Sequence, residues 1–174
     1  MAYKLNKGLI QIYTGTGKGK STAALGQALR ATGQGLKVII IQFVKGIRTG
    51  EHRFVSKYHP FKIVQMGKGD CFNKTTEKLA LESKKTLNYA LEQMLSGKHD
   101  VIILDEIFIA LKQGYILEKD ILSLMQQKPK NVELIMTGRY APKSIIRKAD
   151  LVTDMQLIKH PFEEGIMGRK GIEF

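Results

Sequence analysis

The sequence has little cysteine and no tryptophan, long apolar run or signal peptide, and these absences exclude several classes of protein. Its 174 residues include one cysteine, Cys71, and no tryptophan. A lone cysteine cannot form an internal disulfide or a cysteine-based structural metal site, so the composition favours the reducing cytoplasm. No apolar run reaches the length of a membrane span, and the N-terminus lacks the apolar core and cleavage site of a signal peptide. We therefore expect a cytoplasmic protein without a membrane partner.

Acidic residues are scarce relative to basic ones. The chain has 28 Lys and Arg against 16 Asp and Glu, a net charge of +12. Such a surface attracts polyanions, among them nucleoside triphosphates, nucleic acids and acidic proteins. Aromatic residues make up only 7% of the chain, and the charge is spread along it rather than gathered in a basic helix. This pattern does not favour direct nucleic-acid binding.

Strand and helix patterns alternate along the chain. Helices are predicted over 20–32 and 75–95. Apolar runs predict strands at 9–13, 38–43, 61–65, 101–104, 132–136 and 151–157. Because this alternation produces βαβ units, we expect residues 1–174 to form a single α/β domain. Its sheet should be twisted and mostly parallel, with helices on its faces.

The stretch YTGTGKGKSTA follows the first predicted strand and begins the first predicted helix. It ends like the G-x-x-x-x-G-K-[ST] phosphate-binding loop, but Thr14 occupies the position of the first glycine. The nearest glycine is Gly15, so the loop between the two glycines of the motif is one residue shorter than usual. In such loops backbone N–H groups converge on phosphate oxygens, a lysine (here Lys20) adds charge, and a hydroxyl (here Ser21) coordinates Mg²⁺. This context predicts a P-loop NTPase-like (RecA-like) domain.

Two adjacent acids end the fourth predicted strand. In VIILDE, Asp105 and Glu106 should lie at the carboxyl edge of the sheet beside the loop, where either could meet Mg²⁺ directly or through water. An acid here could instead cap the following helix. The pair could also supply a general base. A RecA-like ATPase acting on nucleic acid and a nucleoside kinase therefore remain open.

Other polar residues follow strands at the same predicted edge. Arg139 in MTGR could contact phosphate or ribose. Lys45 and Glu51 in QFVKGIRTGE belong either to a site or to an ordinary polar loop. His160 in KHPF has no second His or Cys at ligand spacing, so packing or capping is its favoured role.

Taken together, the motifs GTGKGKSTAALGQALRATGQG, QFVKG, VIILDEI, TGRYAP, ADLVTDM and KHPFEEGIMGRKGIEF resemble one family. This family is the P-loop ATP:corrinoid adenosyltransferases of the CobA type, and the resemblance extends from Leu9 to Phe174. It implies transfer of the 5′-deoxyadenosyl group of ATP to the cobalt of a reduced corrinoid. The corrinoid would be cob(I)alamin or cob(I)yrinic acid a,c-diamide, in cobalamin biosynthesis or salvage. Because triphosphate is the leaving group in this chemistry, the short loop would hold a leaving group rather than present a phosphorus for attack.

The resemblance also implies roles for individual residues. Lys20 and Glu106 would be catalytic, and Ser21 and Glu106 would bind Mg²⁺, with Asp105 able to act through water. The ATP-binding residues would be Gly15, Thr16, Gly17, Lys18, Gly19, Lys20, Ser21, Thr22 and Arg139. The corrinoid-binding residues would be Lys45, Glu51, Phe72 and His160.

The resemblance has further implications for the corrinoid side. Phe72 aligns with a family tryptophan that packs under the corrin and keeps the lower cobalt ligand away, and Asp70 aligns with a family phenylalanine. Longer relatives carry an N-terminal extension over the corrinoid, whereas this sequence begins almost directly at its first strand. We therefore expect a partner subunit or an open cleft there. The resemblance also implies a homodimer and an acidic, flavodoxin-like electron donor.

Overall fold

A computed structural model describes residues 4–67, 69 and 71–174, and of Phe72 it describes only the backbone. Within these residues a single sheet has six strands, and every recorded pairing is parallel. The prediction of a mostly parallel sheet is therefore confirmed. The strand order is β3-β2-β4-β5-β1-β6. The strands are β1 Ile10–Thr14, β2 Val38–Gln42, β3 Lys62–Gln65, β4 Val101–Asp105, β5 Glu133–Thr137 and β6 Leu151–Asp154.

Helices connect the strands and cover both faces of the sheet. Both predicted helices are confirmed to within one residue. The helices are α1 Lys20–Gly33, α2 Gly50–Tyr58, α3 Thr76–Leu95, α4 Ile107–Lys112, α5 Glu118–Gln126 and α6 Lys143–Ile146, with short 3₁₀ turns at Cys71–Asn73 and Pro161–Glu164. Among the described residues, no helix combines the length and apolar character needed to cross a bilayer.

The core consists of two apolar layers, one on each face of the sheet. One layer surrounds Phe43 and Phe108, and the other packs Ala24 and Ala28 of α1 against the sheet. All residues of β2 and β4 are buried. Burial on both faces explains why these strands appear in the sequence as continuous apolar runs rather than as alternating patterns.

One strand boundary was predicted wrongly, and one helix was not predicted. The last strand ends at Asp154 rather than at residue 157, because the Met155 carbonyl turns to accept the Gly17 N–H at 2.6 Å. Glu51 lies in the first turn of α2 rather than in a loop. Helix α2 was missed because it buries only His52 and Val55, so its apolar periodicity is too weak to identify it.

The parallel arrangement brings the carboxyl ends of the strands to one edge of the sheet. Four of them end in polar side chains that are buried: Thr14, Gln42, Asp105 and Thr137. Buried polar groups need hydrogen-bond partners, so these residues define a polar centre beneath the loop between β1 and α1.

Candidate functional site

The loop between β1 and α1 depends on glycine for both its conformation and its packing. Gly15 and Gly19 have φ angles of 98° and 119°, in the region that side chains disfavour. A Cβ added to Gly15 would overlap Asp154 Oδ1, and one added to Gly17 would lie 2.6 Å from the Gln156 carbonyl oxygen. The chain leaving β6 therefore packs directly against the loop, and larger residues would displace it.

Lys20 places a cation at the beginning of α1. The residue is only 7% exposed, and its Nζ donates to the Gly17 carbonyl at 2.5 Å. Burial lowers the pKa of Lys20, and the negative charge of Glu106 partly opposes this effect. The ammonium and the positive end of the α1 dipole together make the loop a strong site for an anion.

Asp105 is the centre of the polar network under the loop. Its Oδ1 accepts hydrogen bonds from Ser21 Oγ and Thr137 Oγ1, each at 2.7 Å. Its Oδ2 accepts from Gln42 Nε2 at 3.0 Å and from Lys45 Nζ at 2.7 Å. Burial alone would raise the pKa of Asp105, but the Lys45 ion pair and these hydrogen bonds outweigh it and lower the pKa. Asp105 is thus an ionised acceptor that orients Ser21 and leaves the lone pairs of the serine oxygen available.

Glu106 differs from its neighbour in both geometry and partners. Its φ of 62° is left-handed, and its N–H donates to Thr137 Oγ1 at 3.0 Å. The Glu106 side chain makes no capping hydrogen bond to α4, and its buried Oε2 has no hydrogen-bond partner within the described chain. Burial and the charge of Asp105 raise the pKa of Glu106. An unpartnered buried carboxylate oxygen indicates a group awaiting a ligand rather than a helix cap.

The donors at this edge fit a magnesium ion better than a metal held by the protein alone. Among the residues that the structure describes, no three His, Cys, Asp or Glu side chains are grouped closely enough to hold an ion. Mg²⁺ usually takes only one or two carboxylates and completes its shell with water and substrate phosphates. The Ser21 hydroxyl and the unpartnered Glu106 carboxylate could supply this small set of donors, and Asp105, whose oxygens are occupied, could act through water.

A cavity of about 420 Å³ opens beside Glu106. Both charged and apolar side chains line this cavity, and such a lining suits a large ligand with polar substituents. Arg139 is exposed, and its charge lowers the pKa of Glu106, against the larger effect of burial. The lining residues are Val44, Lys45, Cys71, Leu79, Glu106, Ile109, Gln113, Tyr115 and Arg139.

A second cavity, of about 380 Å³, lies between the loop and the C-terminal segment. Gly17, Lys18 and His160 all line it. Lys18 Nζ donates to Glu173 Oε1 at 2.9 Å and to the Ile172 carbonyl at 3.2 Å. His160 Nδ1 accepts the Phe162 N–H at 3.1 Å, which is a capping interaction. The structure thus brings His160 near the loop but not to the cavity beside Glu106.

Some of the expected site residues are not brought together by the structure. Glu51 is half-buried on α2 and does not line either cavity. Asp70 and the side chain of Phe72 lie outside the described residues. Sequence reasoning missed Thr137 and His52. Thr137 follows the same rule as Asp105, since it ends a buried strand, whereas His52 gave no signal in the sequence.

The fold and this site define a P-loop nucleotide-binding protein. The model of the family "ATP:corrinoid adenosyltransferase BtuR/CobO/CobP" matches residues 6–174. The chain therefore belongs to this family of transferases, which confirms the resemblance and disfavours the ATPase and kinase alternatives.

Curated relatives agree with this assignment. A Sinorhizobium corrinoid adenosyltransferase is 38% identical over 173 residues, covering 97% of this chain and 81% of that protein. The Pseudomonas aeruginosa corrinoid adenosyltransferase is 37% identical over 97% of this chain and 84% of its own length. The corresponding protein of Escherichia coli K12 is 30% identical, with coverages of 97% and 86%. The similarity thus extends over most of each protein.

Proposed function

We propose that this protein transfers the 5′-deoxyadenosyl group from MgATP to the cobalt of a reduced corrinoid and releases triphosphate. One observation carries the proposal beyond family membership. A phosphate-type loop with a buried lysine lies at the same sheet edge as an unpartnered carboxylate, beside a cavity large enough to admit part of a corrinoid. This juxtaposition supports the proposal, because the leaving group would bind at the loop and the acceptor would enter the neighbouring cavity.

In the proposed reaction the cobalt lone pair attacks the C5′ carbon of ATP. The C5′–O5′ bond breaks, its electron pair leaves with triphosphate, and the cobalt is formally oxidised by two electrons. Lys20 and the loop N–H groups stabilise the negative charge that grows on the leaving group. Ser21 and Glu106 would hold Mg²⁺, which would neutralise phosphate charge when bound. Arg139 binds phosphate at the cavity rim.

The product analysis tests this function directly. We expect ATP and chemically pre-reduced cob(I)alamin to yield equal amounts of adenosylated corrinoid and inorganic triphosphate. The alternative reactions break a P–O bond and would yield ADP. Chromatography with phosphorus NMR distinguishes these products. ADP and phosphate as the only products would contradict the proposal, and stimulation of turnover by single-stranded DNA would then indicate a nucleic-acid-dependent ATPase.

We also propose that an acidic, flavodoxin-like protein supplies the electron that produces the reduced corrinoid. The net charge of +12 supports this, because opposite charges steer the encounter of two proteins. We expect flavodoxin-dependent reduction to slow roughly tenfold or more between low and physiological ionic strength, since salt screens this attraction. Anaerobic stopped-flow spectroscopy measures the rate.

Pre-reduced corrinoid is the control for this salt experiment. Transfer to it needs no protein partner, so its rate should change little over the same range of salt. Equal salt effects on both routes would mean that salt acts on the active site rather than on the encounter. The proposal also includes a cytoplasmic location, which the lone cysteine favours, and a homodimer, which light scattering would measure.

A further inference from the structure

A chain of buried hydrogen bonds leads from Asp105 away from the phosphate-type loop to the beginning of α2. Gln42 connects Asp105 to His52, and His52 connects Gln42 to Thr49. Gln42 is 2% exposed and His52 is 8% exposed. This series of hydrogen bonds therefore lies in the interior, where a polar group that lost its partner would be costly.

The direction of the hydrogen bonds follows from two groups with fixed roles. The Thr49 backbone N–H donates to His52 Nδ1 at 3.1 Å, so Nδ1 is an acceptor without a proton, and the Thr49 hydroxyl, 2.8 Å from the same nitrogen, is then a second donor to it. The proton of the neutral ring is then on Nε2, which donates to Gln42 Oε1 at 2.9 Å. At the other end, the ionised Asp105 only accepts, so Gln42 must turn its NH₂ group toward it.

The charges around the ring are consistent with the neutral form. Burial lowers the pKa of His52, and the cations Lys45 and Arg48 act in the same direction. The carboxylates Glu51 and Asp105 oppose them. A neutral His52 can accept from Thr49 and donate to Gln42 at the same time, which an imidazolium cannot do.

We propose that His52 is a positioning residue for the adenosyl transfer reaction. Its Nε2–H fixes the orientation of the Gln42 amide, and Gln42 thereby holds the Asp105 carboxylate that orients Ser21 and Lys45. Without a donor to Oε1, the amide could rotate and turn its oxygen toward the carboxylate. Gln65 Nε2 also donates to Gln42 Oε1, at 2.9 Å, so loss of His52 should weaken this arrangement rather than abolish it.

The inference rests on the proposed function and can be separated from a merely structural role by two matched substitutions. In His52→Gln the amide nitrogen takes the place of Nε2, so the donor to Gln42 remains while the acceptor for Thr49 is lost. In His52→Asn the amide oxygen takes the place of Nδ1, so the acceptor remains while the donor is lost. Each variant thus keeps one half of the interaction.

We expect the two variants to lose different properties: His52→Asn should lose activity with pre-reduced corrinoid at 25 °C, and His52→Gln should lose stability. His52→Asn should lower kcat about five- to tenfold, in line with the loss of one hydrogen bond, and should raise the half-saturating Mg²⁺ concentration. Its KM for the corrinoid should stay within about twofold of wild type. His52→Gln should keep kcat within about twofold but lower Tm by about 2 to 4 °C, because the N-terminus of α2 loses a cap. Equal losses of kcat in both variants would overturn the inference.

A second measurement does not depend on catalysis. Nitrogen NMR of the wild type at neutral pH should show His52 with protonated Nε2 and unprotonated Nδ1. Mg²⁺-dependent ATP binding, measured by calorimetry, should weaken about fivefold in His52→Asn but not in His52→Gln. If the wild type produced no adenosylated corrinoid, the proposed function would fail while these two measurements still tested His52. A protonated Nδ1, or equal ATP affinities in the two variants, would refute the role of His52.

Discussion

Lys20→Ala should reduce adenosyl transfer by roughly 30- to 1000-fold. The buried ammonium is fixed at the beginning of α1, where it would face the triphosphate as negative charge grows on it. Removing one preorganised group of this kind typically costs about 2 to 4 kcal/mol of transition-state stabilisation. The measurement is kcat with pre-reduced corrinoid, which avoids any effect on the electron donor.

Two controls separate this electrostatic effect from a loss of folding. Lys119→Ala removes an exposed lysine of α5, far along the chain from the loop, and should keep the wild-type rate. Thermal unfolding of Lys20→Ala should show a folded protein. A folded Lys20→Ala variant with more than a third of the wild-type kcat would contradict the role of Lys20 in stabilising the leaving group.

Glu106→Ala should raise the Mg²⁺ concentration needed for half-maximal transfer by about 10- to 100-fold or more. Even residues that only support a metal ligand typically cost 10- to 100-fold in affinity when they are replaced, and Glu106 is proposed as a ligand itself. The KM for corrinoid should change much less. Glu92→Ala, which removes an exposed carboxylate of α3, is the matched control. An unchanged magnesium requirement in Glu106→Ala would show that Glu106 is not a ligand.

The raised pKa of Glu106 adds an expectation about stability. Because folding raises this pKa through burial and the nearby Asp105, the protonated form favours the folded state. The contribution of Glu106 to stability is present below its unfolded pKa and is lost as pH rises through the higher folded value. Glu106→Gln should therefore have a higher Tm than wild type at neutral pH without Mg²⁺, and the difference should shrink in acid. A lower Tm for Glu106→Gln than for wild type at neutral pH would contradict the interpretation that the buried Glu106 carboxylate destabilises the fold.

The sequence by itself determined the fold class and two parts of the candidate site, the glycine-rich loop and the pair of acids. Strands buried on both faces leave continuous apolar runs, as at 101–104, and the loop from Gly15 to Ser21 needs specific residue types for local backbone reasons. Such signals depend on residues that are neighbours in the chain, so they can be recognised in the sequence alone. The carboxyl-edge rule for parallel sheets then placed Asp105 and Glu106 beside the loop.

Only the tertiary structure decided which of the two acids is occupied and which is free. Asp105 accepts hydrogen bonds from four side chains of three chain segments, whereas Glu106 has a left-handed backbone and lines the cavity. The same holds for His52, which lies on a short polar helix without apolar periodicity and is connected to Asp105 through Gln42. Hydrogen bonds between residues 10 to 84 positions apart have no sequence signature, because their geometry exists only after the sheet has assembled.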